Sequence, residues 1–215
     1  MPSPQTFFVD EIEVGQNYEL IFSQRYGLYR YRFGDVIKVS GFYKNCPKVK
    51  FLYRKATLLN LVGEKVDQTT ILEAIQASLS RWANTVELSY YTVAENTLLK
   101  ELHEGEAGSG NTYLFYVLFL ELKMNASGKF PQDLQPHTLA QIIDRQIYEN
   151  HTFYRNFKDT DQIALPRVYF VKTGAFLQLK EFILQTTSSS RSQFKMPLKL
   201  RTSKMAEIML ANVMH

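Results

Sequence analysis

With 215 residues, 45% of them apolar, the chain can bury a sizeable core, which excludes a largely disordered protein. Its net charge of +4 comes from scattered Lys and Arg residues, which argues against a dedicated nucleic-acid-binding protein. The single cysteine, Cys46, excludes an internal disulfide, and the four histidines never fall at ligand spacing, so we expect no metal site. The longest apolar run, residues 113–122, is too short to cross a bilayer as a helix, so no membrane segment is expected.

The first quarter of the chain, residues 7–54, is predicted to be rich in β-structure. Short β-branched and aromatic runs are separated by Gly, Asn, Asp and Pro, which is typical of strands joined by tight turns. The predicted strands are 18–23, 28–33, 36–43 and 49–54. In the second strand three aromatic residues alternate with Arg30 and Arg32, so the aromatic side chains and the arginines are expected on opposite faces.

From residue 56 onward the pattern predicts alternating strands and helices. The predicted order β-α-β-β-α-β comprises a strand at 56–63, a helix at 68–82 capped by Asp67, strands at 86–95 and 112–122, a helix at 138–149 and a strand at 167–174. This order is compatible with a ferredoxin-like split βαβ module. A polar loop is expected at about 100–111, a short helix at 175–184 and a Ser-rich loop at 186–193.

We therefore expect an α/β (α+β) protein with a boundary after residue 54. Its expected parts are a β-rich piece at 1–54, a small α/β domain at 55–200 and a poorly anchored tail at 201–215.

Asp35 is the first candidate functional residue. It follows Gly34 where one predicted strand ends and the next begins, so it could be an ordinary turn carboxylate. An ionised carboxylate can also accept hydrogen bonds from both hydroxyls of a ribose. Arg30 and Arg32 would then lie near a phosphate. The residues alone leave both interpretations open.

Two lysines are further candidates. Lys65 lies between a predicted strand and the start of a helix, where free N–H groups and the helix dipole favour anions. Lys195 lies near Pro197 after the Ser-rich loop, from where a compact positive charge could reach an anionic transition state. Each could equally be an ordinary solvated lysine.

The chain resembles the Gretchen Hagen family of acyl acid–amido synthetases in four successive stretches, which are GLYRYRFGDVIKVSGFY (27–43), VKFLYRK (49–55), LNLVGEK (59–65) and SQFKMP (192–197). The resemblance covers nearly all of residues 7–198, with the animal and bacterial members closer than the plant ones. This family is adenylate-forming. Its members activate a carboxylic acid with ATP and then pass the acyl group from the acyl-adenylate to an amine, usually of an amino acid, with release of AMP.

The resemblance implies a role for each matching residue. It implies a nucleotide site formed by Asp35, at the ribose hydroxyls, with Tyr31, Arg32 and Lys65. It implies that Lys195 is catalytic and stabilises charge during adenylation. Arg54 and Lys55 resemble the hinge about which a mobile C-terminal domain turns between the two half-reactions.

The sequence also departs from the family. Leu198 stands where an arginine usually follows the proline, and no phosphate-binding Ser/Thr/Gly loop or acyl pocket is found in the chain. We therefore expect the carboxyl-terminal portion of a longer cytoplasmic ligase. It would use ATP, with Mg²⁺, and bind its carboxylic acid and amino acid substrates through a missing N-terminal domain. Alone it is expected to be inactive. The alternative is a non-catalytic homologue that acts as a protein-interaction module.

Overall fold

The computed structural model describes residues 5–25, 27, 29–99, 113–125, 130–187 and 191–214. The chain divides into two compact units, residues 1–58 and residues 59–215, so the division falls four residues beyond the expected boundary. The described residues form two three-stranded sheets and five α-helices, which confirms the mixed α/β class. The loop predicted at 100–111 lies outside the described residues. None of the described helices is long and apolar enough to cross a membrane.

The first unit contains an antiparallel sheet in the order β1-β2-β3. Its strands are β1 (Asn17–Phe22), β2 (Tyr31–Tyr43) and β3 (Cys46–Arg54). The strands predicted at 28–33 and 36–43 form one continuous strand from Tyr31 onward. Gly34 has a φ of +81° inside this strand, a conformation that glycine adopts without a side-chain clash. Asp35 therefore lies within a strand and not in a turn between two strands.

The second unit is a sheet covered by helices on both faces. Its strands are β4 (Val86–Glu95), β5 (Tyr116–Met124) and β6 (Arg167–Val171); β5 is central, antiparallel to β4 and parallel to β6. On one face the core contains side chains of α1 (Gln68–Leu79), α2 (Pro136–Asn150) and α3 (Thr152–Asp159). On the other face it contains side chains of α4 (Ala175–Thr186) and α5 (Ser203–Ala211). Because both faces of β5 are covered, its apolar run is continuous, as predicted for a central strand.

Residues 56–63 do not form the strand that was predicted there. The chain instead makes a short 3-10 helix at Lys55–Thr57 and an isolated antiparallel bridge between Leu59 and Val66. The backbone N–H groups of residues 61–63 point to the buried carboxylate of Glu64, so they cannot pair with a neighbouring strand. Because β6 pairs directly with β5, the described sheet also lacks the strand order of a ferredoxin-like module.

The carboxyl-terminal segment is firmly anchored, so the prediction of a poorly anchored tail was wrong. Backbone hydrogen bonds of 2.9 and 2.8 Å join Val93 of β4 to residues 198 and 200. At the opposite edge of the sheet, Met214 donates to Phe170 of β6 over 2.9 Å. Between these two edges α5 buries Ala206 and Met209 completely. The periodic pattern of 202–214 indicates a helix but not the two sheet edges that hold it.

Candidate functional site

Asp35 and Arg54 form a bidentate ion pair between β2 and β3. They are directly opposite each other in the sheet, and Arg54 Nε and Nη2 donate to the two carboxylate oxygens over 2.5 and 2.9 Å. The Asp35 side chain is 11% exposed, whereas that of Arg54 is 47% exposed. The hydrogen bond from Arg54 lowers the pKa of the Asp35 carboxyl below its usual value, although burial opposes this. Asp35 is therefore held ionised in this structure.

The ion pair leaves the Asp35 carboxylate with acceptor capacity. A carboxylate has about four lone-pair sites, and the two bonds from Arg54 use two of them. Among the described residues Asp35 accepts no hydrogen bond from a backbone N–H, so the interpretation as a turn carboxylate finds no support. The Arg54 guanidinium lies over the ring of Phe33, 5.1 Å from its centroid, and Phe33 is itself exposed. The site can thus offer an anionic acceptor next to an aromatic surface.

A second carboxylate, Glu19 of β1, holds two more of the predicted residues. Arg32 donates to Glu19 over 2.5 and 3.2 Å, and Lys55 donates to it over 2.7 Å. The hydrogen bond from Arg32 is the main cause of a lowered pKa for the Glu19 carboxyl. Sequence reasoning missed Glu19, because its position beside Arg32 depends on the pairing of β1 with β2. Its only sequence signal was a charged residue inside an apolar strand.

Tyr31 lies at the start of β2, opposite Phe22, and is half exposed. Arg30, just before the strand, has a left-handed φ of +47°, and its backbone N–H donates to the Ser23 hydroxyl over 3.0 Å. The first unit therefore contains Asp35, Tyr31, Arg32, Arg54 and Lys55 on one small sheet or at its edge.

Lys65 lies at the surface of the second unit, immediately before α1. Its backbone has a left-handed φ of +54°, an unusual conformation for a residue with a side chain. Asp67 caps α1 by accepting the N–H groups of Thr69 and Thr70 over 2.8 and 3.1 Å. Among the described residues Lys65 has no ion-pair partner. It presents a positive charge to solvent near the start of α1.

Lys195 is an exposed residue of the second unit that precedes an anchored stretch of chain. The Pro197 carbonyl accepts a 2.8 Å hydrogen bond from the Thr92 hydroxyl, and the Leu198 carbonyl accepts the N–H of Val93 over 2.9 Å. Leu198 is thus tied to β4 through its backbone. The neighbouring Lys199 pairs with Glu95 over 2.5 Å. The charge of Lys199 is therefore paired within the second unit.

The described residues contain no group of three or more His, Cys, Asp or Glu side chains that could hold a metal ion.

Comparison with family models gives two matches along the chain. The model of the GH3 family central domain matches residues 1–54, and that of the GH3 family C-terminal domain matches residues 69–204.

Comparison with individual proteins points to the same group. Indole-3-acetic acid-amido synthetase GH3.17 of Arabidopsis thaliana is 29% identical over 203 residues, covering 94% of this chain and 32% of that protein. The GH3 domain-containing protein of Homo sapiens is 29% identical over 208 residues, covering 97% of this chain and 36% of that protein. These identities do not separate plant from animal relatives. The solved structure of AtGH3.15 acyl acid amido synthetase in complex with 2,4-DB matches 96% of this chain and 34% of its own, with a TM-score of 0.73 and 26% identity. The chain spans about a third of the length of the relatives it matches.

Proposed function

Because this chain belongs to the GH3 family, we propose that it forms the carboxyl-terminal part of an ATP-dependent acid–amino acid ligase. In the first step a carboxylate oxygen of the acid attacks the α-phosphorus of ATP, and pyrophosphate leaves. In the second step the amine of an amino acid attacks the acyl carbonyl and loses a proton, and AMP leaves. Matched relatives carry such names, among them a jasmonoyl–L-amino acid synthetase of Nicotiana attenuata, and this supports the reaction class.

The observation that carries the proposal is the Asp35 carboxylate, which is held ionised by Arg54 and retains two acceptor sites. We assign these two sites to the ribose hydroxyls of ATP and AMP. Tyr31 and Arg32 precede Asp35 on the same strand, and Arg32 is assigned to the phosphate side of the nucleotide. The Arg32 side chain is 55% exposed despite its pairing with Glu19, so it can still contact an anion.

The second unit contributes two lysines in this proposal. Lys65 contacts the nucleotide from the surface loop before α1. Lys195 stabilises the negative charge that develops when pyrophosphate leaves. Ion pairs hold Arg54 and Lys55, the predicted hinge residues, to carboxylates of the first unit, so the hinge between the half-reactions is proposed to lie at or directly after them.

The phosphate-binding loop and the acyl pocket are proposed to lie in the two thirds of the relatives' length that this chain does not span. Exposed apolar side chains of the first unit support this division. Of the exposed large hydrophobic residues that the structure describes, twelve lie in residues 1–58 and seven in the much longer stretch 59–215. A surface so rich in exposed apolar side chains is typical of one that another polypeptide segment covers.

The nucleotide role can be tested on the 215-residue chain itself. AMP is titrated into ¹⁵N-labelled protein, and amide shifts are followed in β2 and in the loop before α1. We expect weak saturable shifts around Asp35 that Asp35→Asn abolishes, because Asn has no negative charge and replaces one acceptor oxygen by an NH₂ group that can only donate. Asp10→Asn, an exposed acid in the same unit, is the matched control and is expected to bind as the wild type does. Equal AMP affinity in the wild type and Asp35→Asn would refute the ribose assignment.

A second experiment tests whether the phosphate-binding loop and the acyl pocket lie outside this chain. The chain alone is expected to show no ATP–pyrophosphate exchange with any carboxylic acid, whereas detectable exchange would show that the phosphate and acyl sites lie within these 215 residues.

Leu198 favours a second candidate function, a non-catalytic homologue that binds a protein partner. It is uncharged where the family pattern has an arginine. Amino-acid-dependent AMP formation by a protein in which this chain is joined to the two thirds of a GH3 relative that it does not span would exclude this candidate. If that protein stays inactive and Leu198→Arg restores activity, the non-catalytic interpretation is supported.

A further inference from the structure

The surface loop at residues 60–65 is folded around the carboxylate of Glu64. Leu59 and Val66 close the loop through two backbone hydrogen bonds of 2.9 Å. Inside the loop Glu64 accepts the backbone N–H groups of residues 61–63 over 2.7, 3.0 and 3.0 Å. Glu64 is completely buried, although a carboxylate is normally left in water because its desolvation is costly. The carboxylate therefore fixes the backbone of the loop from inside.

The core of the second unit holds Glu64 in turn. The hydroxyl of Tyr116, in the central strand β5, donates to the Glu64 carboxylate, and the Tyr116 ring stacks on that of Tyr154. Both tyrosines are buried. On the other side of the loop, a Cβ on Gly63 would come within 3.2 Å of the Phe157 ring of α3, so the loop backbone already lies close to that helix. The loop at residues 60–65 is thus packed between β5 and α3.

This arrangement determines where Lys65 lies. Glu64 and Val66 on either side of it are both completely buried, so the side chain between them is directed to solvent. The left-handed φ of +54° at Lys65 costs about 1–2 kcal/mol in a residue with a side chain and persists only where the surroundings impose it. The hydrogen bonds to Glu64 on one side and the bridge at Val66 on the other impose it here.

We propose that Glu64 is a positioning residue that fixes the loop before α1 so that Lys65 is presented to the phosphate of the bound nucleotide. The proposal rests on the nucleotide role of Lys65 in the proposed function. Glu64 itself does not contact the nucleotide, because it is completely buried and its oxygens bind the loop and Tyr116.

The test is a double-mutant cycle between Glu64→Gln and Lys65→Gln, with AMP affinity of the full chain measured by NMR titration. We expect each single variant to weaken AMP about fivefold, the size of an exposed ion contact. In Glu64→Gln an amide NH₂ faces the N–H donors of the loop, so we also expect faster amide exchange at residues 61–63. The double variant should bind AMP no more weakly than Lys65→Gln alone, because Glu64 acts through Lys65.

Each outcome distinguishes the proposal from a merely structural role. If Glu64→Gln weakens AMP equally in the wild-type and Lys65→Gln backgrounds, Glu64 does not act through Lys65 and the proposal is wrong. Unchanged AMP affinity in Glu64→Gln overturns it as well. If Glu64→Gln does not fold, Tyr116→Phe removes a single donor to Glu64 and should show a smaller effect of the same kind. If Asp35→Asn abolishes binding while Glu64→Gln and Lys65→Gln do not affect it, the ribose assignment of Asp35 survives, whereas the nucleotide contact of Lys65 and the positioning role of Glu64 do not. Absence of AMP binding by the wild type would refute the proposed function itself.

Discussion

Replacing Arg54 with Gln tests the ion pair on which the candidate site depends. Opposite charges directly across two strands contribute about 0.2–1 kcal/mol to stability. The bidentate geometry and the 11% exposure of Asp35 place this pair at the upper end, and the 47% exposure of Arg54 keeps it well below a buried pair. We expect Arg54→Gln to destabilise the first unit by about 1 kcal/mol at pH 7. That loss corresponds to about fivefold faster hydrogen exchange of the β2 and β3 amides.

The destabilisation caused by Arg54→Gln should depend on pH, and the lowered pKa of Asp35 determines the direction of this dependence. This pKa is lowered in the folded protein, so the pair contributes fully above the unfolded-state value of about 3.9 and is lost as the pH falls through the folded-state value. The difference between wild type and Arg54→Gln should therefore be constant from about pH 7 to 5 and shrink below about pH 4.

The matched control for Arg54→Gln is Lys50→Gln on the same strand. Lys50 is exposed, lies opposite Lys38 and has no ion-pair partner in the described part of the chain, so its replacement should cost nothing. Exchange in Arg54→Gln as slow as in the wild type at pH 7 would refute the reasoning. The reasoning would also be refuted if the difference in exchange rate between wild type and Arg54→Gln were as large at pH 3 as at pH 7, because the effect would then not depend on the ionised carboxylate.

Three further substitutions test the second unit, with urea unfolding followed through the fluorescence of its buried tryptophan, the only one in the chain. Met209→Ala should cost about 2–5 kcal/mol, because Met209 anchors α5 in the core; a loss under 1 kcal/mol would contradict that anchoring. Asp67→Ala should cost about 1 kcal/mol through loss of the α1 cap, whereas Asp67→Asn, which can still cap, should cost much less. Gly63→Ala should destabilise the unit through its contact with Phe157, and Phe157→Leu should relieve part of that cost.

Features that depend on neighbouring residues could be predicted from the sequence. The periodic apolar residues after Asp67 predicted α1 and its cap, because helix periodicity and capping act within a few residues. The apolar run ending at Leu122 predicted the central strand β5, because a strand covered on both faces has no polar side.

Features that depend on distant partners could not be predicted. Residues 56–63 have the composition of a strand, but the buried Glu64 carboxylate, held by Tyr116 from β5, takes the N–H groups of residues 61–63. The pairing of Glu19 with Arg32 and the anchoring of α5 at both sheet edges likewise join residues far apart in the chain. Asp35 was located by its motif, but its partner Arg54 had been assigned to a separate role.

The two ion pairs of the first unit bear on where a hinge can lie. Asp35 holds Arg54, and Glu19 holds Lys55, so both hinge candidates are attached to the β1-β2-β3 sheet. A rotation about the N–Cα bond of either residue would pull its side chain from its carboxylate, whereas rotation at 56–58 would leave both pairs intact. The contact division also falls after residue 58. We therefore expect the backbone angles to change at 56–58, with Arg54 remaining on Asp35 while a nucleotide occupies the two remaining acceptor sites of that carboxylate.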